Sequence, residues 1–290
     1  MRSKLYRSYL FQGFAAEAVL QYGLWFQTNK LNNSIIMQAA AKYKPNIEVA
    51  CDSETLALRA LEVFVDDAEK AIQSKGKFYT AISGGRTPRR LFELLGETPS
   101  AKELSWDRIH LFWVDERCVP PDSQSSNYRL AADTFLNKIP IPGENIHRIP
   151  TEHRDSRISS QHYEETIRSV FCIKEDQIPQ FDLIVLGMGK DGHTGSLLPN
   201  SYAPFATESL ACVVYVLDEK LNRITLTYPV LRAASHLAVL VCGGDKADIL
   251  KRVFTAEPDE VKYPIHILWP VLEKVTWLVD AEATRLLDSK

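Results

Sequence analysis

FDLIVLGMGKDGHTGSLLPN, running from Phe181 to Asn200, changes character halfway along. Phe181 to Leu186 is an unbroken apolar run of the length of a strand buried on both faces of a parallel sheet. Glycines, an acid and a histidine follow at once. In open α/β sheets ligands bind beyond the carboxyl ends of the strands, so Asp191, His193, Thr194 and Ser196 fall where a site is expected. Gly187, Gly189 and Gly192 would let the backbone approach a ligand closely.

Two plainer accounts compete. The three glycines also satisfy the spacing of a dinucleotide fingerprint, with Asp218 after the apolar run from Cys212 to Leu217 in the place of a ribose-binding acid. Such a fold needs an uninterrupted helix after the third glycine, whereas Pro199 and Pro204 break the chain within about two turns. A purely structural turn accounts for the glycines but not for an Asp-Gly-His-Thr cluster, which is more polar than turning requires.

Upstream, Asn46 to Ala50 reads as a strand, followed by Asp52 or Ser53 as N-cap and a helix to about Ser74 that Gly76 stops. Phe78 to Ile82 is a second strand. It runs into Ser83-Gly84-Gly85-Arg86-Thr87-Pro88, and Leu91, Phe92, Leu94 and Leu95 then mark a helix with Pro88 suited to its first position. Strand, glycine loop and helix start together form an anion site, where free N–H groups and the positive end of the dipole converge. An ordinary tight turn is the alternative, and the loop lacks the lysine and spacing of a nucleotide P-loop. A third strand, Ile109 to Val114, ends in Asp115-Glu116-Arg117, expected to face the cleft, and a helix runs from Ser126-Asn127 to about Asn137. His147, His153 and His162 read as surface residues, and a helix over Ser159 to Phe171 precedes the central stretch.

Downstream, Arg223 to Thr227 alternates polar and apolar residues as a strand does, with Arg223 at its start, placed to lean into the cleft. Leu237 to Cys242 is another strand, and Gly243-Gly244-Asp245-Lys246 leads it into a helix. A cation in a first helical turn opposes the dipole, so Lys246 suggests a bound anion, an ordinary exposed lysine being the alternative. Val275 to Val279 and Ala281 to Leu287 close the chain as strand and helix, while His110, His236 and His266 sit in apolar surroundings and read as packing residues. The alternation predicts α/β architecture: a single doubly wound, mostly parallel sheet flanked by helices, Rossmann-like.

Composition narrows the function. The chain has 290 residues, 45% of them hydrophobic, and a net charge of -3, which disfavours a sequence-independent nucleic-acid binder. No apolar run reaches the length of a membrane span. Five scattered cysteines, without metal-ligand spacing, suit buried free thiols in a reducing, cytoplasmic compartment. Residues 1–40 read as an extension outside the domain or a start-site artefact, with Met37 an alternative start, and 41–290 as the domain. The oligomeric state stays open, a monomer included.

Several motifs in order carry a resemblance: ISGGRTP at Ile82 to Pro88, VDERCVPPDSQSSNYR at Val114 to Arg129, GMGKDGHTGSLLP at Gly187 to Pro199, RITLTYPVL at Arg223 to Leu231, and the glycine turn before Lys246. From about Pro45 onward the chain resembles the 6-phosphogluconolactonase branch of the glucosamine-6-phosphate deaminase and isomerase superfamily. The deaminase branch carries a tyrosine after the Asp-Glu pair and an Asn-Glu-Pro segment after the histidine turn. Here Arg117 and Ser196-Leu197-Leu198-Pro199 stand instead, both pointing to the lactonase. Arg86, where the family usually has a small hydroxyl residue, Gly195, Leu198 and the segment from Tyr263 to Pro270 depart from the pattern.

The resemblance implies a sugar-phosphate isomerase-type fold, hydrolysis of a phosphosugar lactone, and neither metal nor cofactor. Imidazole exchanges protons near neutral pH, so His193 is the candidate general base, with Asp191 orienting it. Backbone N–H groups between Gly189 and Thr194 and the Arg117 guanidinium are candidates for the developing oxyanion. Arg223, Lys246 and the Ser83-Gly84-Gly85 loop are expected to hold the phosphate, and Asp115 to line the same cleft.

Overall fold

A computed structural model describes residues 45–216 and 221–287. The extension assigned to residues 1–40 and the dinucleotide candidate Asp218 lie outside the described residues. In chain order the principal elements are β1 (Asn46–Ala50), α1 (Ser53–Lys75), β2 (Phe78–Ile82), α2 (Arg86–Glu97), β3 (Ile109–Trp113), β4 (Asp115–Arg117), α3 (Asn127–Thr134), β5 (Ile146–His147) and α4 (Ser156–Phe171). They continue as β6 (Leu183–Gly187), β7 (Ala211–Val214), β8 (Arg223–Leu226), α5 (Tyr228–Ala233), β9 (His236–Val241), α6 (Ala247–Thr255), β10 (Val275–Asp280) and α7 (Ala281–Thr284).

The expected sheet is present. Seven strands pair, all in parallel, in the order β1-β10-β9-β6-β2-β3-β5. Its central strands are apolar throughout, as strands covered on both faces must be: Leu183, Ile184, Val185 and Leu186 of β6 and Leu237 to Val241 of β9 are all buried. From β2 the chain winds outward through β3 to β5, then returns to place β6 on the other side of β2 and winds the opposite way through β9 to β10. The strand order therefore reverses between β2 and β6. Loops leaving the carboxyl ends of these two neighbours diverge, which opens a crevice.

A second sheet was not anticipated. β4 leaves β3 after Val114 alone and pairs antiparallel with β8, which pairs with β7. Three residues are too few for alternation to be legible, yet the period of two operates: Asp115 and Arg117 face the crevice, while Glu116 points into the protein and is buried. The expectation that all of Asp115-Glu116-Arg117 face the cleft thus fails for its middle residue.

Local boundaries follow capping chemistry. Asp52 accepts from the Thr55 N–H at 2.7 Å to start α1, and Gly76 ends it at φ 81°. α2 begins at Arg86, which places Pro88 third in the helix; there its missing N–H is still one the helix would not use. The closing helix ends at Thr284, short of the expected Leu287. His147 is no surface residue: it is buried beside Phe112, its Nε2 lies 3.0 Å from His110 Nδ1, and burial lowers its pKa to about 4. His153 and His162 are exposed as expected, paired at 3.0 Å. All five cysteines are free, but Cys172 is exposed and the others only partly covered.

β5 stops at His147, opposite Phe112, so Trp113 has no ladder partner on that side. The buried Tyr163 hydroxyl replaces it, accepting from Trp113 N–H at 3.0 Å and donating to Trp113 C=O at 2.6 Å. Tyr163→Phe is expected to cost roughly 1–3 kcal/mol in denaturant unfolding, because two buried backbone groups lose their only substitute for a strand. An unchanged midpoint would show that the hydroxyl carries no such load.

Candidate active site

The crevice is a cavity of about 750 Å³. Its walls come from Ser83–Thr87 after β2, Gly187–Asp191, His193 and Gly195 from the end of β6 onward, Cys242, Gly243, Asp245 and Lys246 after β9, Asp115 and Arg117 of β4, Arg223 of β8, and Asn127 at the start of α3.

The turn after β6 is closed by its own backbone. Gly189 N–H donates to His193 C=O at 2.8 Å, and Gly192, at φ 85°, donates to Gly189 C=O at 3.2 Å. Ile265 N–H reaches Gly192 C=O at 2.9 Å, and Tyr263 covers Gly192, so the segment that departs from the family pattern buttresses the turn from outside. The result is a fixed dyad: Asp191 Oδ1 lies 2.6 Å from His193 Nδ1 and also accepts the His193 N–H at 3.2 Å. A carboxylate only accepts, so Nδ1 carries the hydrogen and Nε2 keeps a lone pair for a proton. Burial pushes the Asp191 carboxyl up, but the hydrogen bond and charge of His193 outweigh it and hold it below the usual range.

Gly189 is there for space. A Cβ on it would stand 2.2 Å from His193 Nδ1 and 2.6 Å from Asp191 Oδ1. Its N–H and those of Gly192 and His193 are spent inside the turn, so these three are not the expected oxyanion donors. Thr194 is also corrected: it is fully buried, does not line the cavity, and its hydroxyl donates to Gly187 C=O at 2.9 Å. That hydroxyl pins the strand end, a role its neighbours in sequence do not reveal.

On the other wall a polar hub that the sequence did not mark holds the cationic side. Glu116 accepts from the N–H groups of Arg117, Asn127 and Tyr128 at 2.7, 2.8 and 2.8 Å and from the Ser126 hydroxyl at 2.9 Å, fastening the start of α3 to β4. Burial pushes its carboxyl up in spite of these donors. Asn127, so placed, accepts from Arg117 Nη1 at 2.5 Å and donates to Asp115 C=O at 2.9 Å. It also fills the space a side chain at Gly84 would need, since a Cβ there would lie 1.9 Å from its Oδ1. Asp115 in turn accepts from the Ser196 hydroxyl at 2.6 Å.

The register of β4 on β8 sets Arg117 directly opposite Arg223. Like charges across a ladder are unfavourable, an arrangement that an anion in the cavity would relieve. Lys246 adds a third cation, its Nζ donating to Met188 C=O at 2.7 Å; burial foremost pulls its pKa down, with Asp245 opposing and Arg86 and Lys190 assisting. Lys246 is the last residue of a 3-10 turn and N-cap of α6 rather than a residue of that helix's first turn. α2 starts without a side-chain cap or an acid in its first turn, at Gly85 with φ 109°. The buried Ser83 hydroxyl beside it has no hydrogen-bond partner among the described residues. N–H groups, a hydroxyl and the helix dipole thus converge on one wall.

Of the expected site residues, His193, Asp191, Arg117, Ser83, Gly84, Gly85, Asp115, Gly189, Arg223 and Lys246 line this one cavity. Asn127, Lys190 and Asp245 line it as well and were not foreseen.

Comparisons with known proteins converge on one family. The family model described as glucosamine-6-phosphate isomerases/6-phosphogluconolactonase matches residues 51–277. A 6-phosphogluconolactonase from a Nostoc species is 37% identical over 240 residues, covering 83% of this chain and 97% of that protein. One from a Synechocystis species is 36% identical over 239 residues, with 82% and 97% covered. The crystal structure of the 6-phosphogluconolactonase from Thermotoga maritima superimposes with a TM-score of 0.68 at 30% identity, covering 81% of this chain and 99% of that one.

Gly189→Ala is expected to keep the fold, because its backbone conformation suits alanine, and to turn the imidazole off Asp191. A structure of the variant reads the rotation, and if the imidazole moves protons in the reaction, turnover should fall by roughly 10²-fold. Full turnover with an undisturbed dyad would remove the spatial argument.

Proposed function

The chain belongs to the glucosamine-6-phosphate isomerase and 6-phosphogluconolactonase family, and we infer from that membership and from the site that it hydrolyses 6-phospho-D-glucono-1,5-lactone to 6-phospho-D-gluconate, a step of the oxidative pentose phosphate pathway. The observation that carries the assignment of roles is the Asp191–His193 dyad sharing one cavity with Arg117, Arg223 and Lys246.

Opening the lactone requires a nucleophilic water, a place for negative charge on the carbonyl oxygen, and a proton for the departing ring oxygen. His193 Nε2 takes the proton of the water as its oxygen attacks the carbonyl carbon, and Asp191 steadies the imidazolium that forms. The Arg117 guanidinium, anchored by Asn127 and Ser125, faces the oxyanion without having to reorganise. Collapse of the tetrahedral intermediate breaks the bond to the ring oxygen, which receives the proton back from His193.

The phosphate is held at a distance from this chemistry. The uncapped start of α2, the Ser83 hydroxyl, Arg223 and Lys246 supply N–H donors and charge for it. Binding energy gained there positions the carbonyl beside His193 and is so converted to rate. Ser196, where the deaminase branch carries its extra acid segment, is committed to Asp115. The substrate is a small phosphosugar lactone, and neither nucleic acid nor membrane enters the reading; no helix among the described residues is long and apolar enough to cross a membrane. Free thiols support a cytoplasmic setting.

Freshly prepared lactone offered to the protein should release acid well above the spontaneous rate, with glucosamine 6-phosphate as the control that stays unreacted. His193→Asn should lower kcat by roughly 10²- to 10⁴-fold with the fold intact, and near-normal turnover would take histidine out of the mechanism. Arg223→Ala and Lys246→Ala should instead raise KM, and unaltered affinity for phosphorylated sugars in both would refute the phosphate assignment.

A further inference from the structure

Of the three carboxylates in the cavity wall, Asp191 is engaged by His193 and Asp115 by Ser196. Asp245 is different, because cations hold it. Its Oδ2 alone receives Lys190 Nζ at 3.1 Å and Arg86 Nη2 at 3.3 Å. These three side chains come from the segments that follow β6, β2 and β9, so one oxygen ties together three walls of the cavity mouth. All are open to water, with the Arg86, Lys190 and Asp245 side chains 86%, 64% and 37% exposed. Ion pairs this wet are weak and easily exchanged.

Their position gives the exchange a purpose. Arg86 is the first residue of α2, so its guanidinium pivots about the same uncapped helix start that offers N–H groups to an anion. Lys190 lies between Gly189 and the catalytic dyad. A phosphate dianion entering there brings more charge than a single carboxylate and competes for the same two cations.

We propose that Asp245 is a displaceable internal anion that parks Arg86 and Lys190 at the cavity mouth and yields them to the phosphate of the incoming substrate, making Arg86 and Lys190 an outer phosphate-binding pair and Asp245 their positioning residue. The inference rests on the lactonase reading only for the identity of the phosphorylated ligand. Because Asp245 holds a negative charge beside the anion's seat, its neutralisation has a sign opposite to that expected of a structural tie.

The test uses the full chain with inorganic phosphate as the calorimetric probe, alongside lactone kinetics. Asp245→Asn should bind phosphate roughly three- to fivefold more tightly, the scale of one exposed ion pair, with the change falling on KM rather than kcat. The gain should shrink as ionic strength rises, and it should vanish in an Arg86→Ala, Lys190→Ala background. Equal or weaker phosphate binding by a folded Asp245→Asn protein overturns the proposal, as does a gain that survives removal of both cations. Should Asp245→Asn fail to fold, Arg86→Ala with Lys190→Ala in the otherwise native chain decides: weaker phosphate binding supports the pair, and unchanged binding eliminates it. Wild-type lactone turnover with no tightening in the variant leaves the lactonase reading standing and the latch refuted; tightening without wild-type turnover does the reverse.

Discussion

Parallel pairing of β2 with β6 at the middle of the sheet is the constraint from which the site follows. Thr80, Ala81 and Ile82 lie against Leu183, Ile184 and Val185, and the ladder is carried one step further by Ser83 N–H on Val185 C=O at 3.0 Å. Beyond that bond the two chains part, since β2 leads into α2 whereas β6 leads through the histidine turn to β7 of the second sheet. The glycine loop after β2 and the histidine turn after β6 are therefore neighbours at their roots and diverge toward the cavity. A glycine loop on an outer strand would find no such partner.

The second constraint is electrostatic. A chain of net charge -3 assembles Arg86, Arg117, Lys190, Arg223 and Lys246 around one cavity. Arg117 stands across a ladder from Arg223, like charges face to face, and a buried acid fixes the backbone on the Arg117 side. Glu116 sits one residue from Arg117 on the opposite face of β4 and ties down the start of α3, which in turn delivers Asn127 to the Arg117 guanidinium. Removing Glu116 would strand several buried donors at once, so the placement of the Arg117 guanidinium depends on a residue that does not line the cavity.

Much of this was legible in the residues. Apolar runs closed by glycines announced β2, β6 and β9 and the loops beyond them, because strands buried on both faces of a parallel sheet leave no room for polar alternation. What failed to show were contacts between segments far apart in the chain. β4 is three residues long, three of the four donors to Glu116 lie ten or more residues away, and His147 is buried where β5 lies against β3. Thr194 looked like a ligand-binding hydroxyl by its company, and the structure spends it on Gly187.

The amino-acid order alone determined the fold class, the two glycine-rich loops and the place of the histidine turn, since each rests on local chemistry: hydrophobic runs, backbone freedom and an imidazole at a strand end. Tertiary structure decided which polar groups remain available. Gly189 N–H is consumed within its own turn, Asp191 is bound to His193, and Asp245 is shared between two cations. A hydrogen bond depends on position and direction to within fractions of an ångström, and only the packed chain brings donors and acceptors from distant segments to those positions.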